Sequence, residues 1–167
     1  MKLLKIIQFN SLSEEKISTF ETRRAARAVV FDSDDQIALL YVSKHSYYKL
    51  PGGGLESGED INEALARECL EEIGCRVDVF AELGEIIEYR DLWSLKQHSY
   101  CYLAKVLGEK GLPDFTQEEV NDGFEIKWLP LEEAIKVLEA EASADYQGKF
   151  IQARDSRFLA EAFSVIK

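Results

Sequence analysis

Apolar residues recur along this chain in two rhythms, and the rhythm assigns the element. Arg23 to Phe31 (RRAARAVVF) and Gln36 to Val42 (QIALLYV) are short, partly β-branched runs on either side of Asp32-Ser33-Asp34-Asp35. They predict two strands joined by a polar turn. Met1 to Phe9 is apolar apart from its lysines and reads as a short first strand. It is too short to span a bilayer and has no small-residue cleavage site. Lys44 to Tyr48 reads as a loop, and Pro51-Gly52-Gly53-Gly54 breaks whatever precedes it. From Asp60 to Ile73 the spacing turns helical, with Asp60 and Glu63 as a capping pair and Gly74 as the stop.

Arg76 to Arg90 and His98 to Val106 predict strands around a loop, Asp91 to Gln97. Gly108 to Gly123 is polar and loop-like, and Phe124 to Leu129 is a short strand. Pro130 then opens a helix to about Ala140, since proline is tolerated in a first turn. A last amphipathic helix covers Lys149 to Phe163. No repeat or linker interrupts the pattern. The expectation is one domain over residues 1–167, with 1–22 as an N-terminal extension. Its class is α/β or α+β in a layered sandwich.

Composition narrows the function. Lys and Arg number 20 against 31 Asp and Glu, a net charge of −11, so no nucleic-acid partner is expected. No membrane partner is expected either. If the substrate is itself an anion, something positive must offset the repulsion, and a divalent cation is the simplest candidate. The cysteines are Cys69, Cys75 and Cys101, with no Cys-x-x-Cys pair. Neither a disulfide framework nor a zinc site is signalled, and a reducing cytoplasm is the simpler setting.

The chemistry concentrates between Gly53 and Cys75. At about 100° per residue, Ile61, Leu65, Cys69 and Ile73 form one apolar stripe that should face the core. Glu68, Glu71 and Glu72 fall within an arc of about 100° that overlaps one edge of that stripe. Like charges four apart repel, and the helix dipole disfavours anions in the last turn. A hard dication removes both penalties, and carboxylates at this spacing suit Mg²⁺ or Mn²⁺. An ordinary solvated acidic face is the plain alternative. The glycines before the helix tip the balance, because they let backbone approach a ligand and the helix start offers N–H groups to phosphate.

Gly53, Glu59, Arg67, Glu68, Glu71, Glu72 and Gly74 occupy every fixed position of the pattern G-x5-E-x7-R-E-U-x-E-E-x-G-U, where U is bulky and apolar. The chain therefore resembles the Nudix hydrolase family. Cys69 and Cys75 stand at the U positions as small buried hydrophobes. A looser similarity runs from about Arg24 to about Ala134 and includes Leu50-Pro51-Gly52 and Trp128-Leu129-Pro130-Leu131-Glu132-Glu133.

The resemblance implies an α/β/α sandwich with a mixed sheet between helices. It also implies Mg²⁺-dependent attack of water on phosphorus in a nucleoside diphosphate linked to another group. By position, Glu68, Glu71 and Glu72 would be metal ligands, joined by the carbonyl of Gly53 or its neighbour. Arg67 would orient those carboxylates, and Glu59 would support the loop. The proton acceptor varies in the family; among Glu118, Glu119 and Asp122, the choice here is Glu119. Similar proteins are often homodimers, so by analogy a homodimer is a partner to consider.

Substrate contacts are expected from Gly52, Gly53, Gly54, Lys49, Tyr48 and Arg24. Tyr47, Lys44 and Arg23 lie near enough in sequence to contribute. His98 reads as structural, while Trp93 is a lid or a partner contact. The extra motifs of coenzyme A and NADH members are missing, and Tyr89 only loosely matches a diadenosine-polyphosphate pattern. What remains is a small nucleotide-like substrate, a nucleoside triphosphate first. The alternatives are an ADP-ribose or nucleotide-sugar pyrophosphatase, or a nucleotide sensor with little turnover.

Overall fold

The structure is a computed structural model that describes residues 1–140 and 145–166; residues 141–144 and 167 of the expected 1–167 domain lie outside the described residues. In chain order the elements are β1 (Leu3–Ile7), α1 (Glu14–Ser18), β2 (Glu21–Phe31), β3 (Gln36–Val42), β4 (Tyr47–Lys49), α2 (Ile61–Ile73), β5 (Arg76–Arg90), β6 (Leu95–Leu107), α3 (Gln117–Asn121), β7 (Phe124–Pro130), α4 (Leu131–Ala140) and α5 (Tyr146–Ile166). The strands form one mixed sheet in the order β1-β5-β6-β2-β3-β4, with β7 also paired to β3. β1 runs parallel to β5 and β2 parallel to β6; the other pairs are antiparallel.

Strand β2 shows how the layers arise. Its residues alternate faces. Ala26, Ala28 and Val30 pack with Ala64, Leu65, Cys69 and Ile73 of α2. Val29 and Phe31 pack with Ala134 and Leu138 of α4 and with Phe150, Phe158 and Leu159 of α5. The small alanines on the first face let α2 lie close to the sheet. The expected apolar stripe of α2 is the buried one: Leu65, Cys69 and Ile73 are almost fully enclosed. The result is the anticipated α/β/α sandwich, with helices on both faces of a mixed sheet.

Local signals set the ends of α2. The Asp60 carboxylate accepts the Asn62 and Glu63 N–H groups, and Glu63 accepts the Asp60 N–H in return. Gly74 closes the helix in the left-handed region at φ 65°, where glycine carries no Cβ penalty.

Several boundaries differ from the sequence reading. Residues 14–18 form a helix capped by Ser13 inside the expected extension. The loop reading of Lys44 to Tyr48 is corrected by β4, whose pairing with Leu40–Val42 comes from a strand neighbour and not from its own pattern. Gly108 to Gly123 contains α3, signalled by a Thr116–Glu119 capping box. β7 continues through Pro130, and α5 begins at Tyr146 and ends at Ile166.

The turn after β2 yields a stability prediction. Asp32 accepts the N–H groups of Asp34 and Gln36 at 2.9 and 2.8 Å, and Lys110 reaches its other oxygen. Burial pushes the Asp32 pKa up, but these hydrogen bonds and the Lys110 charge outweigh it and leave it below its usual 3.8. A depressed carboxylate adds stability above its unfolded value and loses it as pH falls through the folded one. Asp32→Asn is therefore expected to cost about 1–3 kcal/mol at neutral pH. The gap to wild type should close below pH 3.8. Urea melts across that range check this; a gap independent of pH would show that the charge is irrelevant.

Candidate active site

The glycine loop is placed by main-chain pairing with β2. Ala26 N–H donates to the Gly53 carbonyl at 2.9 Å, Ala28 N–H to the Pro51 carbonyl at 3.1 Å, and Leu55 N–H to the Arg24 carbonyl at 3.0 Å. This leaves the loop beside the C-terminal half of α2. A cleft of about 400 Å³ opens there, lined by Gly52, Gly53 and Gly54, by Glu68 and Glu72 of α2, and by Lys49 of β4.

Glu72 is the buried carboxylate, 1% exposed. Lys49 Nζ donates to one of its oxygens at 2.5 Å and the Gly52 N–H to the other at 2.7 Å. Burial nevertheless holds its pKa above the ordinary glutamate value, opposed by Lys49 and the Gly52 N–H.

Arg67 organises the remaining acids. Its Nε and Nη2 donate to the two Glu59 oxygens at 2.8 and 3.0 Å, and Nη1 donates to Glu68 at 2.9 Å and Glu71 at 3.1 Å. Nη2 also reaches the Gly54 carbonyl at 3.2 Å. One planar guanidinium thus ties the loop to the helix through a fork that lysine could not reproduce. Hydrogen bonding to Arg67 holds the Glu59 pKa down to about 2, and the same bonds raise that of Arg67.

Gly53 is the closest approach: a Cβ built there would lie 2.1 Å from Glu68 Oε1. The loop and the Glu68 carboxylate are in direct contact, and only glycine leaves that space. The oxygens of Glu68 and Glu72 are hard donors that suit a Mg²⁺-like cation, while the Gly53 carbonyl accepts the Ala26 N–H of β2. Among the described residues no three His, Cys, Asp or Glu side chains stand close enough together to hold an ion as they are placed. Glu68 and Glu71 are turned onto Arg67, and Glu72 onto Lys49.

The cleft is also lined by Thr116, Glu118, Glu119 and Asp122 from α3 and its flanks. Glu119 accepts the Thr116 N–H at 2.8 Å, and Asp122 pairs with Lys44 at 2.6 Å. Two other expected contacts lie elsewhere. Tyr48 packs on Tyr41 with ring centroids 4.7 Å apart, and Arg24 lies over the Tyr100 ring at 5.5 Å. Strand alternation explains both, because Tyr47, Lys49 and Arg23 occupy the cleft side instead. His98 bonds Glu85, and Trp93 packs edge-on against Tyr146.

A family model, the NUDIX domain, matches residues 21–153. The chain belongs to the Nudix family. Diphosphoinositol polyphosphate phosphohydrolase 2 of Rattus norvegicus is 32% identical over 120 residues, covering 70% of this chain and 63% of its own length. The chain therefore spans less than two thirds of that relative. The 3-beta form from Homo sapiens is 31% identical, with 70% of each chain covered. Among solved structures, a NUDIX hydrolase from Nitrosomonas europaea superposes with a TM-score of 0.67 at 16% identity, over 87% of this chain and 90% of that one. The binary complex of the C. elegans Ap4A hydrolase gives 0.60 at 21%, over 86% and 97%. At these identities the likeness is one of fold.

In this Nudix protein the sequence reading missed one whole wall of the cleft. Arg27, Arg90, Gln97 and Arg154 line it, all buried. Glu88 is fully enclosed and takes hydrogen bonds from Arg90 at 2.7 Å, Gln97 at 2.8 Å, Ser99 at 3.1 Å and Arg154 at 3.4 Å. Asp155 pairs with Arg154 at 2.7 Å and accepts the Leu50 N–H at 2.8 Å. A signal was present for two of these arginines. Arg27 interrupts the apolar run of β2, and Arg154 falls midway between Phe150 and Phe158, four residues from each, on a core-facing stripe.

The three cysteines are buried free thiols, and burial raises the pKa of each. No helix among the described residues is long and apolar enough to cross a membrane.

Proposed function

We propose that this Nudix protein is a hydrolase that splits a phosphoanhydride bond in a small nucleotide-like substrate with the help of a divalent cation. The observation that carries the reading is the contact between the glycine loop and the α2 carboxylates: Glu68 against Gly53, and Glu72 bonded to the Gly52 N–H and to Lys49. The curated relatives named as phosphohydrolases support the same bond class.

Glu68 and Glu72, with Glu71 and the Gly53 carbonyl beside them, are the residues that would hold the cation. When bound, Mg²⁺ would neutralise charge on the diphosphate and acidify water. Arg67 ties Glu59, Glu68, Glu71 and the Gly54 carbonyl to one guanidinium, and Glu68 and Glu71 would turn from it toward the cation. Water adds to one phosphorus, the bridging P–O bond breaks, and a carboxylate takes the proton. Glu119 is our choice for that acceptor. It lines the cleft from α3, and among the described residues no cation pairs with it.

The test is a panel of nucleoside triphosphates, dinucleoside polyphosphates, ADP-ribose and diphosphorylated inositol phosphates, with Mg²⁺ or with EDTA, products resolved by chromatography. Metal-dependent release of phosphate or a nucleoside monophosphate is expected for at least one class, with loss of activity in Glu68→Gln. Binding without turnover across the panel would instead make the protein a sensor. A Mg²⁺-induced rise in melting temperature that disappears in Glu68→Gln would separately support the cation site.

A further inference from the structure

The arginine wall of the cleft is not used by the chemistry above. Arg27, Arg90 and Arg154 are 8%, 3% and 1% exposed, and each lines the cleft. They come from β2, from the end of β5 and from α5. Arg27 shares the strand face of Val29 and Phe31, which pack in the α4–α5 layer, and Arg90 lies 5.4 Å from the Phe150 ring of α5. Glu68 and Glu72 come from α2, on the other side of the sheet. The two sets start from opposite layers and meet in one cleft.

The arginine set is unbalanced. Three guanidinium groups share two enclosed carboxylates, Glu88 and Asp155; the third enclosed acid of the cleft, Glu72, is paired with Lys49. Arg154 is satisfied: burial lowers its pKa, but Asp155 and Glu88 outweigh that and raise it. Arg27 is not. Among the described residues its side chain donates from Nη1 to the Ala26 carbonyl at 3.3 Å. Burial and the Arg154 charge bring its pKa down to about 10, against the pull of Asp155, Glu72 and Glu68. Among the described residues Arg27 Nε and Arg90 Nε are the buried side-chain polar atoms left without a hydrogen-bond partner. Folding does not leave charged donors in this state without a reason, since an enclosed and unpaired donor costs its full desolvation.

We propose that Arg27, Arg90 and Arg154 form a second anion site in this cleft, which takes a phosphoryl group of the substrate other than the diphosphate being cleaved. A phosphoryl group is the fitting ligand. It offers three terminal oxygens in a tetrahedral arrangement, and three guanidinium groups line the cleft from three separate elements. A carboxylate has only two oxygens in one plane. Lys49 of β4 is already paired with Glu72, and the buried donors left without a partner are Nε of Arg27 and Nε of Arg90. This rests on the hydrolase reading for the word substrate, but not for the site itself.

The equilibrium test needs no turnover. Inorganic phosphate is titrated into the full chain in EDTA by calorimetry, with thermal melts alongside. Wild type should bind and be stabilised. Arg27→Met and Arg90→Gln should bind about tenfold or more weakly. Arg27→Met should also melt no lower than wild type without phosphate, because an uncompensated buried charge is replaced by an apolar side chain. A merely structural arginine would give the opposite, a lower melting point. Absence of phosphate binding to wild type, or equal binding by Arg27→Met, overturns the site.

The kinetic test uses ADP-ribose and its 2′-phosphate, which share one diphosphate and differ by one phosphomonoester. Wild type should favour the phosphorylated member through KM, and Arg90→Gln should erase the preference. Phosphate binding without such a preference would overturn the substrate role and leave a site for free phosphate. Failure of both compounds to react would count against the hydrolase reading on these substrates, while the calorimetry still decides the site.

Discussion

Glu72→Gln is expected to fold normally and to lower metal-dependent hydrolysis by roughly 10³-fold, several kcal/mol of transition-state stabilisation at about 1.4 kcal/mol per decade. Glu72 is 1% exposed and holds both Lys49 and the Gly52 N–H. Glutamine keeps an oxygen for Gly52 but loses the charge that balances Lys49 and that is proposed to hold the cation. The fold tolerates this because burial already disfavours ionised Glu72. The long Lys49 stem can also carry its ammonium toward water. Turnover against Mg²⁺ concentration, with a thermal melt on the same sample, checks both halves. Turnover like that of wild type in a folded variant would remove Glu72 from the site.

Gly52→Ala is expected to damage the fold itself, by about 3–5 kcal/mol. Gly52 has φ +128°, where side chains are strained, and a Cβ there would lie 2.1 Å from the Ala26 carbonyl oxygen and 2.9 Å from Arg27 Cα. Both are backbone atoms of a central strand and cannot step aside. Gly53→Ala makes an informative contrast. Its Cβ would strike the Glu68 carboxylate, the movable end of a side chain. That variant should melt within a few degrees of wild type and yet lose activity, because Glu68 is displaced. Urea denaturation of the pair distinguishes the two kinds of glycine. Equal stability of Gly52→Ala and wild type would mean that the loop does not pack against β2 as described.

Much of the fold is written in local pattern. The stripe Ile61, Leu65, Cys69 and Ile73, the Asp60–Glu63 capping box and the Gly74 stop are relations between residues within a few positions of one another. Sequence alone displays them. The strands at Arg23–Phe31 and Gln36–Val42 were legible for the same reason. β4 was not, since three residues make a strand only when a partner strand holds them. α3 could have been found, because Thr116 and Glu119 form a capping box inside what otherwise looks like a polar loop.

The site divides along the same line. Sequence spacing by itself determined that Glu68, Glu71 and Glu72 share one side of a helix, that Arg67 lies within reach of them, and that a glycine loop precedes them. Helical periodicity fixes those relations whatever the rest of the chain does. Only the tertiary structure decided that Lys49 and not Tyr48 faces Glu72, that Arg23 and not Arg24 lines the cleft, and that Arg27, Arg90 and Arg154 build its other wall. Those choices depend on which strand face turns inward and on which distant elements pack together. Contacts between residues tens of positions apart carry no spacing rule for a sequence to show.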